Sequence, residues 1–577
     1  MDILKVINTV RYMTPRQWRY RIYYTVRNKL KERKPKIAEA AIIPFRLSAY
    51  FSENIENKEA IEIADGICNG IIPTASGIQV HYIGDWDLKD EDYRLVSFKL
   101  NSFRWLLILS DAYKATGDKK YIDKGFEYIN EWYGKCGNVI AGDKWNAYVV
   151  AERLTNWIGF VSEYGDEKQI KQIAGWVYSQ AQELRNSFEF QLGANHLLSE
   201  AKGLVYAGAF LQDEDLYGFG KRVLLDEANE QFYPDGGHYE HSVSYHVESL
   251  QQYFESYAVM SIKLDPDAER VADIMTEPYR FLNGMIGVAG RIPLFNDSAY
   301  DYPFFDAACF LSTASRIYAA FPPKGREGRY SRRWAWMGNG EKSISWESKV
   351  KYDDTGFIHY QFDSIENSYS FFMDCGNNGP DYNLGHTHAD TLSILLYSND
   401  KEILVDSGVF TYKPGIERNE CRSTAAHNTV EIDGKNSAEV WSAFRVAKRG
   451  HSKIDEFVET NGLKVTAQHD GYTKLLGVKA NHIRTVEIVP KEGIIRVKDV
   501  IDGNKPHKAI SRCHIGSKCS VEQVDRKSCL IDGHILIRSD TDIKVVSCKV
   551  AGMFGALEDS KCLEVGFSKE TEIEMKL

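Results

Sequence analysis

The feature that most restricts what this chain can fold into is a change of hydrophobic period near its middle. From about Asn101 to Phe321 apolar residues recur at helical spacing, as in Phe103 to Tyr113 and Ala147 to Trp157, and again over 195–210, 244–262, 267–282 and 304–319. Gly117-Asp118, Gly193, Pro234 to Gly237, Pro266 and Pro278 punctuate these segments as breakers. Paired helices of similar length can close into an α/α toroid. From Val350 onward the pattern becomes short and β-branched, at 356–362, 368–373, 392–397, 429–432, 463–469, 483–489, 493–500, 535–538 and 543–548. Such runs between Asn, Asp and Gly turns predict an antiparallel β-sandwich. At 577 residues one core does not suffice. The expected order is a basic, aromatic lead-in (1–90), an N-terminal (α/α) toroid (91–325), a linker (326–349) and a C-terminal antiparallel β-sandwich (350–577).

Composition narrows the function classes. With 71 basic against 81 acidic residues and a net charge of −10, no global positive field invites nucleic acid. Ten cysteines lie without a CxxC pair, which fits free thiols in a reducing compartment. The N-terminus lacks the apolar core of a secretory signal, and no stretch approaches the ~18 apolar residues of a membrane span. A cytoplasmic location is the expectation, with periplasmic placement or secretion by another route as the alternative. Aromatics make up 12% of the chain, and 33 Tyr and 11 Trp suit stacking on sugar rings as well as helical cores.

The stretch Gly385 to Val430 gathers three histidines and a carboxylate. Leu392 to Tyr397 and Glu402 to Val405, joined by Ser398 to Lys401, predict a β-hairpin. His388 precedes one strand, Asp406 ends the other, and His427 adjoins the next. Two neutral imidazoles and a carboxylate suit zinc or another borderline divalent ion, and loop histidines hydrogen-bonded to backbone are the alternative. In an extended segment His386 shares a face with His388, so it stands beside such an ion without binding it.

Two stretches of the helical half crowd polar residues where helices should start. In Phe190 to Glu200, Gly193 breaks the chain and Asn195-His196 open the next helix, with Asn195 as either N-cap or functional amide. Asp235 to His246 crowds acid/base groups into twelve residues, Tyr239, His241 and Tyr245 among the candidates. An amide (Asn195), a phenol (Tyr245) and imidazoles (His196, His386) are the groups needed to remove a proton α to a carboxylate and protonate a leaving oxygen.

The order NHLLSE, DGGHYEHSVSYH, GHTHADTLS, LVDSG and AHNTV resembles the heparinase II/III-type polysaccharide lyases, from about Phe98 to Val446. The resemblance implies a toroid joined to a β-sandwich with an acidic glycan in the cleft between, cleaved by β-elimination. It implies that Asn195 and His196 neutralise the substrate carboxylate, that Tyr245 is the general acid, with Tyr245 or His386 as the base, and that His386 is the catalytic histidine of the sandwich. It also implies that His388, Asp406 and His427 hold one structural divalent ion, zinc foremost, with Mn or Ca as alternatives. Tyr239, His241, Arg94, Arg104, Arg153, Arg418 and Arg422 are candidate substrate contacts, the arginines because their planar fork suits carboxylate and sulfate. Glycosaminoglycans such as heparan sulfate, chondroitin sulfate and hyaluronan lead the substrates. Alginate, a capsular uronan, or a non-catalytic glycan-binding or assembly role on the same scaffold are the alternatives. Monomer and homodimer both remain open.

Overall fold

The computed structural model describes residues 3–29, 33–37, 42–47, 57–75, 78–88, 94–300, 349–364 and 367–577. The helix expected at 304–319 and all but the last residue of the 326–349 linker lie outside the described residues.

Nine long helices run from Arg94–Ser102 to Ala268–Met285 among the described residues. Local chemistry sets their ends. Asp166 and Gln169 form a reciprocal capping box, Asn146 and Asp213 accept from the first free N–H groups of their helices, and Gly117 closes another in the left-handed conformation at φ 73°. Consecutive helices pair, and Ala194–Leu211 is the hub. It packs against Ala147–Tyr164, Glu214–Gln231 and Val243–Ile262 and is buried almost throughout. Gly208 admits the neighbouring helix, because a Cβ there would meet the backbone nitrogen of Tyr217 at 2.3 Å. Trp132 and Trp157 meet edge to face at 5.4 Å in the core of this half, and both are fully buried. Truncating either to Ala costs about 3–5 kcal/mol.

Two sequence expectations shift. The helix expected from Phe103 begins at Leu106, since Phe103 itself takes a positive φ of 61°. Pro278, expected to break the chain, lies inside Ala268–Met285. That helix's apolar face is buried along both sides of the proline, and packing outweighs the one lost backbone hydrogen bond.

The paired strands of the second half are antiparallel. An eight-stranded sheet runs in the order Ser452–Glu459, Leu463–His469, Ala480–Val489, Ile494–Gly503, Glu570–Lys576, Ile535–Ser539, Ser528–Ile531, Val521–Asp525. Two four-stranded sheets accompany it, one of them Phe357–Ser364, Asn367–Asp374, Ile394–Ser398, Glu402–Leu404, and side chains of all three share one core. The expected hairpin is the pair Ile394–Ser398 and Glu402–Leu404. Burial alternates strictly along Ala480–Val489, which points His482 and Arg484 inward. Asp499 on the adjacent strand answers both, accepting from His482 Nε2 at 2.8 Å and from Arg484 at 2.7 and 2.9 Å. A buried charge persists only when paired in this way.

The halves are tied by side chains that accept from or donate to backbone. Asp235 of the toroid accepts from the N–H groups of Asp354 and Thr355 at 2.9 and 2.7 Å. The helices Ile3–Val10 and Pro15–Lys29 lie across both. Thr9 Oγ1 accepts from Trp441 Nε1 and donates to the Val446 carbonyl, Gln17 Nε2 donates to the Tyr382 carbonyl, and Tyr24 donates to the Phe188 carbonyl.

Candidate active site

One wall of the site is the start of the hub helix. The chain turns at Gly193 (φ 74°, ψ −153°), where a Cβ would stand 3.5 Å from the Tyr239 hydroxyl. The helix starts at Ala194 with no side-chain cap, so Asn195 sits in the first turn and is not the N-cap. His196 is about one-third exposed, stacks on Tyr148 at 4.6 Å and holds the Glu189 carboxylate through Nδ1 at 2.7 Å. Burial works against the imidazolium, but the hydrogen bond and charge of Glu189 outweigh it and raise the His196 pKa. Glu200 accepts from the Glu189 N–H at 2.8 Å, while its other oxygen is buried without a partner. Burial, with Glu189 beside it, pushes the Glu200 carboxyl well above the usual carboxylate range.

The facing wall joins Tyr245 to His386. The second polar stretch becomes helical only at Val243, with Ser242 at the N-cap, so Tyr239 and His241 do not share a helix face with Tyr245. The Tyr245 ring stacks on the His386 imidazole at 3.8 Å, and its hydroxyl lies 3.0 Å from that of Tyr412. Burial pushes the Tyr245 phenol well above its ordinary pKa, so it keeps its proton at neutral pH.

His386 is oriented by Asp297, whose Oδ2 lies 2.8 Å from Nδ1. The same carboxylate accepts two hydrogen bonds from Arg418 at 2.6 Å each and one from His388 Nε2 at 2.7 Å. Burial disfavours its charge, yet Arg418 and then His388 hold the carboxyl well below the usual range. An ionised carboxylate only accepts, so His386 and His388 both donate to it, which leaves Nε2 as the acceptor nitrogen of the neutral His386 ring. That nitrogen lies 3.7 Å from Glu240 Oε1. Glu240 is buried, its carboxyl is raised by that burial, and the charges of His386 and then His196 act on it. Glu240 thus lies within reach of the charges of both His386 and His196, which brings the two walls together.

His427 Nδ1 and Asp406 Oδ2 meet at 2.7 Å, and the rings of His388 and His427 lie 5.2 Å apart. His388 Nδ1 and His427 Nε2 are both buried without a partner. Two orphaned imidazole nitrogens beside a carboxylate fit the donor chemistry of a borderline divalent ion. The backbone-satisfied alternative is not what the structure has. Among the described residues, the trio whose donor atoms all approach within 4.8 Å of one another is a different one, Glu189, His196 and Glu200.

Burial takes several of the expected substrate contacts out of a ligand's reach. Arg153 is fully buried under Trp132 and donates to Gln180 and to the Asn101 and Lys144 carbonyls, and burial lowers its pKa to about 9. Arg418 and Arg422 are also fully buried. Arg418 serves Asp297, and Arg422 donates to the carbonyls of Thr387, Ser442, Ala443 and Arg445. His241 is buried, with both ring nitrogens unpartnered, and burial lowers its pKa to about 4. Tyr239 is buried and accepts from Asn383 Nδ2 at 3.3 Å. Arg94 is exposed but paired with Asp143 at 2.8 Å. Arg104 is half-buried and its charge reaches Tyr148 and Glu152, beside His196. Sequence reasoning gave no role to Asp297 and passed over Glu189, Tyr412 and Phe444. Asp297 lies in FNDSAY, where its only legible signal is that a base histidine needs a carboxylate.

An α/α toroid followed by an antiparallel sandwich, with a tyrosine of the first stacked on a histidine of the second, defines a narrow structural class. The chain belongs to the heparinase II/III family: the model of the heparinase II/III N-terminus matches residues 11–299, and the heparinase II/III-like C-terminal model matches 347–573. It is 22% identical over 438 residues to a heparin-sulfate lyase of Bacteroides thetaiotaomicron, covering 70% of this chain. The chain spans only 59% of the length of that relative. A crystal structure of heparinase III superposes with a TM-score of 0.68 at 18% identity, covering 99% of this chain and 93% of that one. The heparan sulfate lyase of Pedobacter heparinus follows with a TM-score of 0.59 at 18% identity, covering 97% and 88%.

Proposed function

We propose that this protein cleaves a uronate-containing acidic glycan by β-elimination, with the glycosaminoglycans named for its relatives, heparin and heparan sulfate, as the leading substrates. The observation that carries the reading is the Tyr245–His386 stack. A phenol that keeps its proton lies against an imidazole whose second nitrogen is bare. Asn195 and His196, the latter raised toward its charged form by Glu189, neutralise the uronate carboxylate and so acidify the C5 proton. His386 Nε2 takes that proton. The C5–H electron pair becomes the C4–C5 double bond, the C4–O bond breaks, and the leaving oxygen receives the Tyr245 proton. The products are a 4,5-unsaturated uronate and a new sugar hydroxyl.

His388, Asp406 and His427 would hold one divalent ion, zinc by the chemistry of two imidazoles and a carboxylate. Its role is to fix the wall that carries His386. Ultraviolet absorbance of the protein with heparan sulfate, chondroitin sulfate, hyaluronan and alginate tests the reading. The conjugated-uronate band should rise on at least one polymer and vanish in Tyr245→Phe. New reducing ends without that band would mean hydrolysis, and no change on any polymer would favour a binding role.

A further inference from the structure

The strands Val440–Trp441 and Arg445–Val446 form a short hairpin whose tip reaches the catalytic histidine. At that tip Phe444 is 44% exposed, although its ring lies 5.9 Å from that of His386, 5.4 Å from that of Tyr412 and 5.4 Å from the Arg418 guanidinium. A large apolar ring left in water costs its hydration, and scattered examples on a surface need no explanation. This one is held in place. Arg422 donates to the carbonyls of Ser442, Ala443 and Arg445 and, from the same guanidinium, to Thr387 between His386 and His388. Arg418 Nε adds a bond to Ala443. Ser442 takes a left-handed φ of 56°, a conformation that non-glycine residues adopt at a cost. Two buried guanidiniums and a strained turn thus present a bare aromatic face next to the reacting imidazole.

The next residue supplies charge. Arg445 is exposed, lies 5.2 Å over Trp441, and has no carboxylate partner among the described residues.

We infer that the hairpin tip is a glycan subsite: Phe444 stacks the apolar face of a pyranose ring beside the cleaved bond, and Arg445 receives the acidic group of a neighbouring sugar. This rests on the lyase reading and names which residues of this chain grip the polymer. Stacking on Phe444 and a charge contact from Arg445 hold substrate and transition state alike, so their loss appears in KM and Kd more than in kcat.

The test uses the full chain and the polymer that the wild type turns over. Phe444→Ala should raise KM about tenfold with kcat within about twofold, Phe444→Trp should restore KM, and Arg445→Ala should raise KM and flatten its dependence on salt. In a Tyr245→Phe background, size-defined oligosaccharides of the panel should bind Phe444→Ala about tenfold more weakly, with thermal unfolding as the control for folding. An unchanged KM and Kd in Phe444→Ala overturns the subsite. So does a fall in kcat alone, which would make Phe444 a prop for His386. A wild type that binds but forms no unsaturated product removes the lyase reading while Phe444-dependent binding keeps the subsite. A wild type that binds none of the panel removes both.

Discussion

Asp297 and His386 stand 89 residues apart in the chain and 2.8 Å apart in space, one following the last described toroid helix and the other in a loop of the sandwich. The base of the proposed reaction is therefore built across the seam between the two halves.

Replacing Asp297 with Asn removes the acceptor that fixes the tautomer of His386. The expected fall in kcat is about 10²- to 10⁴-fold with KM little changed, by analogy with the loss of an orienting aspartate beside a catalytic histidine. The same change strands Arg418 in the interior, at about 3–5 kcal/mol of stability. Initial rates below the unfolding range of the variant separate the two effects, and a near-wild-type kcat there would sink the orienting role.

Tyr412→Phe keeps the ring and deletes one hydroxyl. Loss of its hydrogen bond with Tyr245 amounts to about 0.5–1.5 kcal/mol, so kcat should fall roughly 2- to 12-fold while Tyr245→Phe abolishes turnover. If Tyr412→Phe proved as damaging as Tyr245→Phe, the proton donor would have been misassigned.

Acid should weaken the fold before it touches surface pairs. His241, His246 and His359 are buried, and burial lowers each to about 4 from the ordinary value of ~6.5. Between those values the unfolded chain binds the protons first. The stability they confer is complete above about pH 6.5 and is lost as pH falls toward about 4, at up to ~1.4 kcal/mol per pH unit per histidine. Denaturant midpoints across this window should slope accordingly, and His359→Phe, which stacks on Phe372 as the imidazole does, should flatten the slope by one proton. An unaltered slope would mean that His359 titrates normally.

Metal analysis of protein purified without chelator should find about one divalent ion per chain, zinc by ligand type. Its removal should lower the melting temperature and slow turnover through the His386 wall, and His427→Ala should do both without chelator. Metal-free protein with full activity and unchanged melting would remove the ion from the account.

The fold was legible because its signals are local. Leu463–His469 appears at the expected residues, since alternation and burial agree there, and the hub helix differs from its expected span of 195–210 by one residue at each end. The stack of Tyr245 on His386 was legible only as two motifs resembling one family. The roles of the arginines were not. Arg418 and Arg422 have the forked donors that suit an anion, but which anion or carbonyl they meet depends on long-range packing, and both turned inward to hold the loop beside His386. Asp297 was hidden for the same reason, because no spacing connects it to a histidine 89 positions away.

The opening helices carry a consequence for how the molecule is made. Thr9 waits for Trp441 and Val446, more than 430 residues downstream, and Gln17 waits for Tyr382. During synthesis this cationic stretch, with Trp18, Ile22 and Val26 still exposed even in the finished fold, leaves the ribosome long before its docking surfaces exist. Its seating is therefore among the last events of folding, and a nascent chain interrupted before the sandwich is complete would keep residues 3–29 available to chaperones.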